Sequence, residues 1–117
     1  MGYDGKERRQ SPRAAFPCKI SVNFSNITLF SHTENLSKGG VNTLLEQRLE
    51  RMTKDTIELF LKKDKTIVCE GMIMWVRENI NPLEAQPTLY NTGIMFTSIS
   101  PADREYIANL VIRLLSE

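Results

Sequence analysis

The sequence predicts a mainly β domain, a small six-stranded antiparallel β-barrel with an α-helix at its C-terminal end. Three observations carry this. Apolar residues recur at every second position along most of the chain, the spacing of strands with one face on a core. The period switches to helical spacing only once, after Ser100-Pro101-Ala102-Asp103. The connections are short and one strand carries a bend, so closure into a barrel is favoured because it removes exposed sheet edges.

The elements follow in chain order. Cys18, Ile20, Val22 and Phe24 alternate with Lys19, Ser21 and Asn23 in a first strand that puts the second set in solvent. After a short polar break, Ile27 to Glu34 forms the second strand, which leads into a turn at Asn35-Leu36-Ser37-Lys38-Gly39-Gly40 punctuated by its paired glycines. Val41 to Leu45 is the third, and Glu46 to Lys54 is a polar connection with room for a helical turn. Ile57, Leu59 and Leu61 mark a fourth strand, joined by a tight turn at Lys62 to Lys65 to a long fifth, Thr66 to Arg77, with Gly71 as a bulge or bend. Asn79 to Pro87, with two prolines, is a loop before the last strand, Leu89 to Thr97. Ser100 then acts as N-cap, Pro101 as first helical residue and Asp103 as first-turn carboxylate of a helix over 101–116, whose Ile107, Leu110, Val111 and Leu114 share one face.

Composition bounds the function. With 117 residues, 41% hydrophobic and 25% charged, the chain has the makings of one globular domain. No uncharged stretch is long and apolar enough for a membrane span and no block resembles a signal peptide, so a cytoplasmic domain without membrane insertion is expected. Cys18 and Cys69 each lie in an apolar alternating run and read as buried thiols rather than a disulfide or metal pair. The net charge of +1 argues against a nucleic-acid partner, which calls for a basic face recruiting many phosphates. A small anion is compatible with it. No cofactor or metal is expected. The single histidine, His32, sits in a strand of alternating polarity as an exposed residue, and no catalytic constellation or phosphate-binding glycine loop is apparent, so the chain reads as a binding domain rather than an enzyme.

The charge is uneven. Residues 1–13 hold Lys6, Arg8, Arg9 and Arg13 against Asp4 and Glu7, leaving 11 basic and 12 acidic residues for the rest. This arm, 1–13, precedes the barrel domain, 14–117. Alone, Arg9-x-x-x-Arg13 is a charge cluster and Asn35-x-Ser37-x-x-Gly40 a turn. In this order, ahead of a small barrel and a terminal helix, they resemble the signature of the PilZ domain family: Arg-x-x-x-Arg in an N-terminal arm, then Asp/Asn-x-Ser-x-x-Gly at a strand junction. Gly71 to Glu78, with its apolar-x-Trp ending, and Thr92 to Ile107, with Gly-apolar-x-Phe before a helix start, extend the likeness. The departure is at Met52-Thr53-Lys54-Asp55, where the family pattern leads one to expect a glycine.

The resemblance implies a receptor for the bacterial messenger cyclic di-GMP, of the kind that governs motility, surface attachment and polysaccharide output, working through a downstream protein partner. It implies ligand contacts from Arg9, Arg13, Asn35, Ser37 and Gly40, with Arg8, Gly39, Trp75 and Arg77 as auxiliary positions. Arginine's planar donor fork suits guanine O6 and N7 and the phosphodiesters, Asn35 and Ser37 suit a guanine edge, and Gly40 gives the ligand close access to the backbone. The arm is then a clamp that becomes ordered on binding. Two other functions share this outline: a PilZ-like protein adaptor that binds no nucleotide, and a small barrel for single-stranded nucleic acid.

Overall fold

A computed structural model of the chain describes residues 12–62, 64–79 and 89–116. It contains β1 (Ala14–Ala15), β2 (Lys19–Phe24), β3 (Ile27–Ser37), β4 (Gly40–Leu45), β5 (Lys54–Lys62), β6 (Lys65–Asn79), β7 (Leu89–Ser98) and α1 (Pro101–Ser116). Strands β3, β2, β5, β6, β7 and β4 pair in that order, and β4 returns to β3, which closes a six-stranded barrel. Every pairing is antiparallel. The two-residue β1 lies outside the barrel, paired to the end of β3 at Ala14↔Leu36 and Ala15↔Asn35. It is the one strand the alternation pattern does not show, because two residues carry no period.

The inward set of each strand builds the core. Ile20, Val22, Leu36, Ile57, Leu59 and Ile73 are completely buried. Helix α1 adds Ile107, Leu110 and Val111 from one face. Its start is fixed as the sequence predicts: the Ser100 hydroxyl accepts the Asp103 backbone N–H at 3.1 Å. Lys65, at the start of β6, pairs with the Asp103 carboxylate at 3.2 Å and lies 4.8 Å from the Tyr106 ring, tying the helix to the sheet. No helix among the described residues is long and apolar enough to cross a membrane.

Four details depart from the sequence pattern. Strand β3 runs on to Ser37, so Asn35 and Ser37 are strand residues; pairing with β4 overrides the turn preference of their side chains. Ser21 is buried, not solvated, because it lies between Phe30 of β3 and Glu58 of β5 and donates to the Glu58 carboxylate at 3.2 Å. The connection 46–53 holds no helical turn. Its Leu49 is fully buried, and Met52 takes the left-handed conformation, φ 70°, in the segment where a glycine was expected. Register shifts bend the β6–β7 pair around the barrel, but beside Gly71 the extra residue is Thr97 of β7, and the bulge in β6 itself is Met74, between Ile73 and Trp75. The predicted loop after Asn79 lies outside the described residues.

Candidate ligand-binding site

Sheet register assembles a row of residues that the sequence scatters between Ala15 and Gly93. Trp75 pairs with Gly93, Gly93 with Asn42, Asn42 with Asn35, and Asn35 with Ala15. All point outward, since Val41, Thr43, Thr92 and Ile94 between them fill the interior. Over this row lies an open recess of about 490 Å³, lined by Arg13, Ala14, Ala15, Glu34, Asn35, Asn42 and Trp75. Its size falls in the ordinary range of small-molecule sites, roughly 300–1,000 Å³.

At one end, an Arg13 guanidinium nitrogen donates to Asn35 Oδ1 at 3.0 Å. The two halves of the signature thus meet directly, and the bond to a rigid strand orients the arginine fork. The end of the N-terminal arm is therefore attached to the barrel at Arg13 and β1. Arg8 and Arg9 lie outside the described residues. At the other end, Trp75 is 37% exposed and its indole lies across Gly93. A Cβ on Gly93 would sit 2.2 Å from Trp75 Cε2 and Nε1, so only glycine leaves room for the ring to lie against the strand. The Arg77 guanidinium lies 5.4 Å from the Trp75 ring centre and steadies the indole.

Ser37 and Gly40 are placed differently. They pair with each other across the two-residue turn Lys38-Gly39. The Ser37 hydroxyl accepts the Gly39 N–H at 3.2 Å and reaches the Gly40 carbonyl at 3.4 Å. Ser37 is buried at 3% exposure. What approaches Gly40 is β7: a Cβ there would meet the Ile94 carbonyl oxygen at 2.2 Å. The turn's carbonyls are also taken, Gly39 by the Phe96 N–H at 2.9 Å and Lys38 by Arg104 of α1 at 3.1 Å. Neither residue lines the recess. Their work is to fix the β3–β4 register, which sets Asn35 opposite Asn42.

The family model described as PilZ domain matches residues 7–113. The chain belongs to the PilZ domain family. Among solved structures it is similar to the PilZ domain of YcgR from Escherichia coli with c-di-GMP, at 20% identity and TM-score 0.74, covering 93% of this chain and 92% of that one. It is also similar to the inhibitor of motility MotI/DgrA from Bacillus subtilis (16% identity, TM-score 0.76, 93% of this chain and 51% of that one). A third is the K. pneumonia MrkH–c-di-GMP complex (17%, 0.76, 93% and 53%). The chain spans nearly all of the isolated YcgR domain and about half of the other two. No curated protein matches it by sequence. These likenesses establish the PilZ fold.

Asn42, Gly93 and Glu34 were not singled out by sequence. Glu34 is the extra residue of a bulge between Thr33 and Asn35, which turns its carboxylate to the rim. Gly93 was legible only as part of the family's Gly-apolar-x-Phe pattern, and Asn42 carries no signal until the register is known. The thiols take no part: Cys18 and Cys69 are both buried and free. Burial pushes both up, Cys69 to about 11 with help from the Asp103 carboxylate, while a hydrogen bond with Thr33 partly offsets the rise at Cys18. Both stay protonated and unreactive near neutral pH.

Proposed function

We propose that the domain is a receptor for cyclic di-GMP, bound at the recess between Arg13 and Trp75. The observation that carries this reading is the Arg13–Asn35 hydrogen bond at one end of a recess whose other end is an indole. A guanidinium and an indole lining one recess suit a ligand that is both anionic and aromatic. Membership of the PilZ family supports it, as do the c-di-GMP complexes of the YcgR domain and MrkH.

On this reading Arg13, with Arg9 four positions ahead, grips a phosphodiester or guanine edge, Asn35 holds Arg13, and Trp75, steadied by Arg77, stacks on a base. Ser37 and Gly40 act through the hairpin, and Gly39 completes its turn. Binding through Arg8 and Arg9 fastens the chain ahead of Pro12 to the barrel, which changes the surface offered to a downstream protein partner in the cytoplasm. The reading requires no catalysis and no cofactor.

Titration calorimetry with cyclic di-GMP, GMP and a short oligonucleotide tests it. Saturable heat with cyclic di-GMP alone is expected. No heat with any of the three points to the adaptor, and heat with the oligonucleotide alone points to a nucleic-acid barrel.

A further inference from the structure

We infer that Asn42 sets base specificity: its side-chain carbonyl accepts a hydrogen bond from the N1–H and N2–H edge of a guanine, favouring cyclic di-GMP over cyclic di-AMP. This rests on the reading of the recess as a cyclic dinucleotide site, but the residue lies outside the family signature. Two asparagines line the recess side by side, Asn35 and Asn42. Asn35 Oδ1 is already used by Arg13. Asn42 Oδ1 is buried and has no hydrogen-bond partner.

A buried acceptor without a donor lowers stability, and native structures hold few of them. Here the residue that carries the orphan lines the open recess, next to Gly93, over which the Trp75 indole lies, so a turn of its carboxamide brings the covered oxygen to the recess. One strand spacing, about 5 Å, separates the stacking face from Asn42, so a base stacked on the indole meets the carboxamide with its edge. Guanine presents two adjacent donors on its Watson–Crick edge. Adenine presents an acceptor, N1, where guanine has N1–H, and has no 2-amino group. An acceptor turned to that position gains a partner from guanine and faces a lone pair from adenine, the arrangement by which a polar site rejects a close analogue. A second orphan, Asn91 Oδ1, lies on the same face two residues along β7, but its register neighbours are Arg77 and Leu44 and it does not line the recess. It serves as the control.

The experiment measures Kd for cyclic di-GMP and cyclic di-AMP by calorimetry in the wild type, Asn42→Ala, Asn42→Asp and Asn91→Ala. The readout is the ratio of the two constants, in which stacking and phosphate contacts common to both ligands cancel. Asn42→Ala is expected to shrink the guanine preference about tenfold or more, the size of one lost base-edge hydrogen bond. A carboxamide can turn its amino group to the same place, whereas a carboxylate offers only acceptors. Asn42→Asp should therefore keep or widen the preference even if charge weakens both affinities, and Asn91→Ala should leave it unchanged. Without ligand, Asn42→Ala should melt no lower than the wild type, since it removes an unmet acceptor; should it fail to fold, Asn42→Ser replaces it in the ratio measurement. An unchanged ratio in Asn42→Ala, or an equal loss in Asn91→Ala, overturns the inference while leaving the cyclic di-GMP reading intact. A wild type that binds neither dinucleotide overturns both.

Discussion

The Ser37–Gly40 end of the β3–β4 hairpin and the Asn35–Asn42–Gly93–Trp75 row lie two residues apart along the same strands, yet they use their polar groups in opposite ways. At the hairpin end every named group has a partner within the fold: the Ser37 hydroxyl holds the turn, Gly40 admits the β7 backbone, and the Lys38 and Gly39 carbonyls bond to α1 and β7. Along the row, Trp75 is partly exposed, Asn42 keeps an unmet acceptor, and Arg13 is oriented by Asn35 over an open recess. In this structure Ser37 and Gly40 hold the turn and the β3–β4 register, and Asn35 uses that register to orient Arg13.

Substitution of the two glycines breaks the comparison most sharply. Gly40→Val should cost about 3 kcal/mol or more, because the obstacle is a backbone carbonyl of a central strand that cannot turn aside. Thermal unfolding should show a large fall in Tm, and ligand binding should vanish with the fold. Gly93→Ala meets instead a side chain, which can swing out. Its expected stability cost is smaller, about 1–2 kcal/mol, with loss of the stacking platform and of most cyclic di-GMP affinity in calorimetry. Equal effects of the two variants on Tm would erase the distinction between the regions.

Ser37→Ala sharpens it further. The expected loss is about 1 kcal/mol of stability, one turn hydrogen bond, with cyclic di-GMP affinity close to wild type once the protein is folded. A folded Ser37→Ala protein with strongly reduced affinity would return Ser37 to direct contact with the ligand.

Two smaller effects lie outside both regions. Asp55 is buried in β5 with an unpartnered carboxylate oxygen, and burial raises its carboxyl above the usual value. Because the folded pKa exceeds the unfolded one, the folded state takes up the proton first as pH falls, so this group's penalty is present at neutral pH and fades through that window. Asp55→Asn should therefore melt higher than wild type at pH 7, with the gap narrowing as pH is lowered toward the ordinary carboxylate range. Met52→Gly should raise stability by up to about 1 kcal/mol, since Met52 is exposed and holds φ 70°, a conformation that costs an L side chain about that much.

The barrel was largely legible in the sequence because its strands alternate cleanly: Ile57-Leu59-Leu61 and the Ser100 cap follow local rules that tertiary contacts only reinforce. Local rules failed where a neighbour decides the outcome. Ser21 reads as a solvated strand residue until Phe30 and Glu58 enclose it, and Leu49 reads as part of a polar connection until the barrel covers it. The site divides in the same way. Arg13 and Asn35 were visible as halves of a spaced motif, whereas Asn42 and Gly93 gain their meaning only from cross-strand pairing.

Trp75 is the chain's single tryptophan, so its fluorescence reports on the recess alone. The most direct test of the recess as the cyclic di-GMP site is a fluorescence titration of the wild type and Arg13→Ala, run beside calorimetry on the same samples. The expected result is a saturable change in Trp75 emission whose midpoint matches the calorimetric Kd, and a shift of that midpoint by about 10–150-fold in Arg13→Ala, the equivalent of about 1.5–3 kcal/mol for a charge-assisted hydrogen bond. Calorimetric binding of cyclic di-GMP with no change in Trp75 emission, and with Arg13→Ala unaffected, would contradict the account and put the ligand elsewhere on the barrel.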